Sequence, residues 1–435
     1  MTRARRIGMV LILLSSGLSL LKGCAIERTI HGGMIDFKAL YYDTRCLLQH
    51  SDPYKSGEPL RLYQAEGGRL WPEESGLQQN LMWYVYLPTT SIFIAPFAML
   101  PYEIAHLLWR MLTAGSLILA AFLMWRLARK YSSGVSLFLI CFILANCEVL
   151  IAVGNPIGVV VSLCVIAVWC FLENRLAWAG VLCLAASLAI KPHDVGFVWL
   201  YFLLAGGIYR KRALQTLLVT AVLGLAAILW VTPIAPDWVQ ELHSNHLVVS
   251  APGEPSNPGP TNPAYGVFQA APIDLQATIS TFRDDPRIYN PVSYLVCGAL
   301  LLAWFVHTLR VRFSPAHAWL ALAAVVPLTM LVTYHRPYDA KLLLLAVPAC
   351  AMLWAEGRQI RWLALLVTTA GIVLTSDIPL TFLSALTKAS RISTAGLPAQ
   401  MRPWVLMTPA PPILLAMGIF YLWIYLRYEP ERAQP

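Results

Sequence analysis

The chain has 435 residues and a formal net charge of +9; 58% of it is hydrophobic, 13% is charged, and the mean hydropathy is +0.61. Soluble domains carry about 25% charged residues, so this composition excludes a soluble enzyme, a disordered tail protein and a nucleic-acid-binding domain. It leaves a polytopic helical membrane protein, because the apolar runs are continuous and do not alternate as barrel strands would.

About 20 apolar residues carry a helix across ~30 Å of hydrocarbon. Runs of this kind predict spans near 7–26, 102–126, 135–153, 156–172, 176–190, 195–209, 213–232, 292–309, 316–334, 340–354, 361–376 and 404–426, about twelve in all. Arg3, Arg5 and Arg6 ahead of the first run resemble an export signal. Lys22 sits badly in a cleavage site, so an uncleaved first span is expected. The stretch Leu87–Leu100 contains Pro88 and Pro96 and would reach only ~20 Å as a helix. It is predicted to lie on the membrane surface or dip into it without crossing.

With that stretch not crossing, the basic clusters fall on one side. They are Arg126, Arg129 and Lys130; Arg175; Arg210-Lys211-Arg212; Arg310 and Arg312; Arg358 and Arg361; and Arg427. The positive-inside rule makes that side cytoplasmic, with both termini in the cytoplasm of a multi-pass cell-membrane protein. The whole chain, 1–435, then reads as one integral membrane domain. Its exported parts are a first loop over 27–101 with juxtamembrane helices, a long proline-rich loop over 233–290, the segment 377–403, and three turns: Gly154-Asn155-Pro156, Lys191-Pro192-His193-Asp194 and Tyr334–Asp339. Seven of the nine cysteines lie in apolar runs as small hydrophobes. Cys24 and Cys46 flank the first loop and could pair if it is exported.

The polar residues that look chemical gather on the exported face. Asp36, followed by Phe37-Lys38-Ala39-Leu40-Tyr41, suits the cap of a surface helix, which spacing alone favours. It also suits a general base shielded by aromatic rings. Asp52-Pro53 reads as a turn. Lys191 ends an apolar run before a helix-breaking proline; it either snorkels or faces a cavity, where its ammonium suits a lipid phosphate, with His193 and Asp194 close by. Arg336 is a cation on the wrong side of the positive-inside pattern, so an anion is expected beside it: Asp339 in a self-satisfied turn, or a ligand phosphate that His335 could also reach. His243 and His246 read as loop residues. No zinc spacing, P-loop or nucleophile elbow is present, and no carboxylate cluster demands a metal or other cofactor.

Taken in order, these pieces resemble glycosyltransferase family 87, the polyprenol-phosphate-mannose-dependent mannosyltransferases of the GT-C superfamily. Asp36-Phe37 with Tyr41 and the close Ser51-Asp52-Pro53-Tyr54 resemble the family's first-loop pattern. Tyr86-Leu87-Pro88, Ala95-Pro96, Leu100-Pro101 and Trp109 resemble its juxtamembrane helix. Ile190-Lys191-Pro192 resembles its Lys-Pro motif, and His335-Arg336-Pro337-Tyr338-Asp339 its late His-x-Pro-Tyr-Asp turn. Gly154-Asn155-Pro156 stands where a Gly-Gln-x-Asn turn is expected, without the glutamine. Asn262-Pro263-Ala264 stands where Asn-Gln-Ser is expected.

The resemblance implies an all-α GT-C-like bundle that moves a hexose, mannose by preference, from a polyprenyl-monophosphate sugar to a glycolipid or glycan acceptor. Asp36 would be the base, and Lys191, His335 and Arg336 would hold the donor phosphate. Tyr41, Asp52, Asn155, His193, Asp194, Asn262 and Asp339 are further candidate site residues; membrane lipids are partners and nucleic acid is not. A secondary transporter or flippase would also have many spans, but should show two similar halves with mid-membrane ionisable residues. A lipid-linked polysaccharide ligase would share the donor chemistry.

Overall fold

The computed structural model describes residues 3–29, 33–70, 75–265, 271–357, 359–379, 382 and 409–429, and among these all regular structure is helical. Each of the predicted apolar runs is a helix. In chain order they are α1 (Arg3–Thr29), α6 (Tyr102–Ala128), α7 (Ser133–Ala145) continued by α8 (Glu148–Val153), α9 (Ile157–Leu172), α10 (Ala177–Ile190), α11 (Pro192–Leu204), α12 (Gly207–Val231), α15 (Pro286–Arg310), α16 (Pro315–Val332), a 3₁₀ helix (Pro337–Ala346) continued by α17 (Val347–Ala355), α18 (Ile360–Leu374) and α19 (Ala410–Arg427). Eight of these runs are long and apolar enough to cross a membrane: α1, α6, α7–α8, α12, α15, α16, the 3₁₀–α17 run and α19. The segment 383–408, the residue Arg358 and the start of the last predicted span lie outside the described residues.

The helices that fall short are informative. At 1.5 Å per residue α9, α10 and α11 reach about 20–24 Å, less than the hydrocarbon thickness. Their ends meet inside the protein. Backbone can leave a helix at membrane depth only where protein or a water-filled cavity covers it, and these ends line the cavity described below. Pro192 pushes Lys191 out of the helical region (φ −141°, ψ 81°) and so ends α10. Gly154 ends α8 with φ +68°. A Cβ there would lie 2.9 Å from that of Phe37, so glycine serves both the turn and the close approach.

α16 and the 3₁₀–α17 run form the buried centre, with α19 packed on α16 and α9 on the 3₁₀ segment. Outer helices show leucines such as Leu218, Leu229 and Leu295, a surface suited to lipid. The first loop folds into α2 (Ile35–Leu48), α3 (Glu58–Ala65), α4 (Ser75–Met82) and α5 (Pro88–Ala98). α5 occupies the stretch expected on the membrane surface and is not among the candidate spans, but it is more deeply set than a surface helix. Thr90 and Ser91 are fully buried, and the hydroxyls of Thr89 and Thr90 donate to the carbonyls of Ala189 and Ile190 at the end of α10. The 233–290 loop carries α13 (Trp238–Val249) and α14 (Leu275–Ser280), elements not expected there. Its proline-rich part, 251–265, has turns and no helix, tied by asparagine side chains. Cys24 and Cys46 are free thiols.

Candidate active site

A cavity of about 530 Å³ opens between α2, the end of α4, and the turns 154–156, 190–193 and 333–339. α2 presents Asp36, Ala39 and Asp43 to it, a spacing that follows one face of a helix.

Asp36 does not cap α2. The cap position is Met34, and no side chain caps the helix. The Asp36 carboxylate is held by two amides instead: Oδ1 accepts from Asn80 Nδ2 at 2.9 Å and Oδ2 from Asn155 Nδ2 at 2.8 Å. Each amide comes from a different part of the chain. Asn155 is itself fixed, because its Oδ1 accepts from the Ile157 N–H at 3.0 Å and closes the turn into α9. The two strips are locked together through Trp109. Its ring stacks on Phe37 at 4.9 Å, and its Nε1 donates to the Gly154 carbonyl at 2.9 Å. The neighbours of Asp36 and Asn155 are thus bound to one indole. Tyr338 extends the cluster, its hydroxyl 3.4 Å from Asn155 Nδ2.

A second cluster lies on the same cavity. Lys191 is buried, which sets aside snorkelling; its Nζ is 3.4 Å from Asp339 Oδ1 and 3.8 Å from Asp194 Oδ2. The expected Arg336–Asp339 ion pair does not form. Asp339 Oδ2 accepts from the Arg336 backbone N–H at 2.5 Å and its other oxygen faces Lys191. His335 is fully buried and is not part of the cavity lining. Its Nδ1 lies 2.8 Å from the Thr333 carbonyl and must donate, since a carbonyl only accepts. Its Nε2 then faces Asp194 Oδ1 at 3.2 Å. Burial by itself lowers the His335 pKa, but the carboxylates of Asp194 and Asp339 outweigh it and hold the imidazole above its ordinary value. The cluster thus sets Lys191 and His335 against the carboxyl groups of Asp194 and Asp339. His193, Asp194 and His335 could close on a metal ion, their ligand atoms lying within 4.8 Å of one another. Such an ion would compete with the Lys191 ammonium for Asp194.

Arg336 is different. Its guanidinium lines the cavity, stacks over the Tyr334 ring and donates through Nε to the Tyr334 hydroxyl, with no carboxylate partner among the described residues. His193, its side chain 46% exposed, also reaches the cavity. The other candidates stand apart from it. Tyr41 donates to the Leu100 carbonyl at 2.7 Å, Asp52 accepts from the Tyr54 N–H at 2.9 Å as the expected turn, and Asn262 closes a turn to Ala264 at 2.7 Å. Sequence reading missed Asn80, Asp43, Trp83 and His246 as lining residues. His246 belongs to α13, and only Asp43 shared a readable helical face with Asp36.

The fold and the site define a multi-pass, all-α membrane protein whose cavity is lined by the carboxyl groups of Asp36, Asp43 and Asp339 and by the cations Lys191 and Arg336. A family model described as Glycosyltransferase family 87 matches residues 84–333, more than half of the chain. The chain belongs to glycosyltransferase family 87, and its fold is consistent with the GT-C superfamily. It is a glycosyltransferase, with a sugar donor and an acceptor as substrates. The matched stretch contains Asn155, Lys191, His193, Asp194 and Asn262; Asp36 precedes it and the His335–Asp339 turn follows it. No curated protein and no solved structure matches the chain significantly.

Proposed function

We propose that the protein moves a hexose, with mannose the first candidate, from a polyprenyl monophosphate to a lipid- or glycan-borne hydroxyl on the extracytoplasmic face. The observation that carries the reading is the Asp36 carboxylate, fixed by Asn80 and Asn155 in the cavity that Arg336 and Lys191 also line. Asp36 takes the proton of the acceptor hydroxyl. That oxygen attacks the anomeric carbon in line, the bond to the phosphate oxygen breaks, and polyprenyl phosphate leaves with the electron pair, so the configuration inverts. Fixed cations stabilise the charge that grows on the leaving phosphate.

Arg336 is the first phosphate ligand in this scheme, since its planar fork suits a phosphate and no carboxylate competes for it. Lys191 assists from between its two carboxylates. His335 is a positioning residue that holds Asp194 and the 333–339 turn. The extracytoplasmic assignment is supported by the basic helix ends lying on the opposite side in the span scheme. The test is kinetic. Arg336→Gln, assayed with polyprenyl-phosphate-mannose, should raise the donor KM and lower kcat together, by roughly ten- to a hundredfold in kcat/KM for one lost charge-assisted hydrogen bond. Unchanged donor kinetics would remove Arg336 from the phosphate site.

A further inference from the structure

The α2 face that carries Asp36 continues into the cavity, and two turns on it presents Asp43. This carboxyl is 1% exposed, and its Oδ1 has no hydrogen-bond partner. Native proteins leave few buried polar atoms unpaired, so an unpaired one on a cavity wall marks the place of a ligand group. Among the described residues no cation offsets it. Burial alone drives the Asp43 pKa well above the ordinary carboxyl value and so favours its protonated form. A protonated carboxyl offers one donor and an acceptor, and a sugar hydroxyl, itself a donor and an acceptor, can meet both.

The surroundings agree. Trp83 lines the same cavity, half-buried, one turn beyond the Asn80 that holds Asp36. An indole has an apolar face and one polar edge, which suits the C–H face of a pyranose. Seven residues of helix separate Asp36 from Asp43, about 10 Å at 1.5 Å per residue, roughly the length of two linked pyranose rings. We propose that Asp43 and Trp83 form a second sugar subsite, and that the acceptor presents at least two sugar rings: the one carrying the attacking hydroxyl at Asp36, and a further one at Asp43 and Trp83. A bare lipid alcohol or a single sugar would leave this subsite empty. The proposal rests on Asp36 marking the reacting hydroxyl.

The test is donor-free, so that it stands apart from the identity of the donor. Purified protein in phospholipid nanodiscs, free of sugar detergent, is titrated with octyl mannoside, octyl glucoside and the matching two-ring octyl glycosides, with tryptophan fluorescence as the readout. A two-ring glycoside should bind about tenfold or more tightly than its one-ring counterpart, the increment of a paired hydrogen bond and a ring stack. Asp43→Leu, which keeps the approximate shape and removes both the donor and the acceptor, should shrink that preference to within about threefold while leaving one-ring binding unchanged. Equal affinities of one- and two-ring glycosides for the wild type would overturn the proposal, and so would a preference that survives Asp43→Leu. Transfer from polyprenyl-phosphate-mannose, measured in parallel, bears on the donor reading alone: binding preference without transfer would sink that reading and leave the subsite standing.

Discussion

Replacing Asp36 with asparagine should silence the enzyme without unfolding it. The carboxylate accepts from two amide donors at 2.9 and 2.8 Å. In the variant one oxygen becomes an NH₂, which cannot accept. Asn155 is unable to turn over to meet it, because its own oxygen is engaged by the Ile157 N–H. Asn80 is free to turn, since its amide makes no other hydrogen bond in the cluster. The new amide therefore points its oxygen at Asn155 and its NH₂ at a flipped Asn80, and both contacts survive. The expected stability change is under ~1 kcal/mol, within the net value of one hydrogen bond. Loss of a positioned general base costs ~10²–10⁴ in rate. The donor KM should not rise, as removing a negative charge near Arg336 does not oppose an incoming phosphate. Transfer from polyprenyl-phosphate-mannose and a thermal melt of the purified variant measure both quantities. Wild-type turnover would refute the base assignment, and a large drop in melting temperature would refute the flip argument.

Lys191→Met should destabilise the fold by about 3–5 kcal/mol, because it strips the shared cation from two buried carboxylates; a melt at or above the wild-type temperature would contradict the pairing. Glu241, on α13, is raised to about 7 by its partial burial and by the Asp52 carboxylate beside it. The folded state therefore binds this proton more tightly than the unfolded chain, and the stability it contributes is lost as pH rises from the ordinary 4.5 to about 7. Glu241→Gln should flatten the melting temperature across that window, and an unchanged slope would count against the pair. Single cysteines at Gln64 and Ser133, both exposed positions, should react with an impermeant thiol reagent from opposite sides of sealed vesicles; labelling from the same side would break the span scheme.

The helical frame was legible because apolar runs announce themselves locally, and Pro192 and Gly154 announced where α10 and α8 stop. Asp36 was visible only as one of two readings. What decides between them lies 44 and 119 residues away, in Asn80 and Asn155, which no local pattern brings together. The cavity-lining face of α2 could have been extended from Asp36 to Asp43 by helical periodicity, had the helix been placed first. His335 and Lys191 were found as charged groups near a helix end, but their pairing through Asp194 and Asp339 depends on three turns converging in space. The 3₁₀ helix at Pro337–Ala346 was hidden within a leucine-rich run that reads as an ordinary span. Ten residues is long for this tighter helix, and it begins at the site.

The central claim is a lipid-monophosphate donor attacked once, in line, by a hydroxyl that Asp36 deprotonates. The measurement that meets it most directly gives the purified protein an anomerically pure polyprenyl-phosphate-mannose with a two-ring glycoside acceptor, and reads the anomeric configuration of the product together with the polyprenyl phosphate released. The account predicts one polyprenyl phosphate per sugar transferred, a product of the opposite configuration, and neither from Asp36→Asn. A product with the donor's configuration, or turnover only with a nucleotide sugar or a diphosphate-linked lipid, would contradict it.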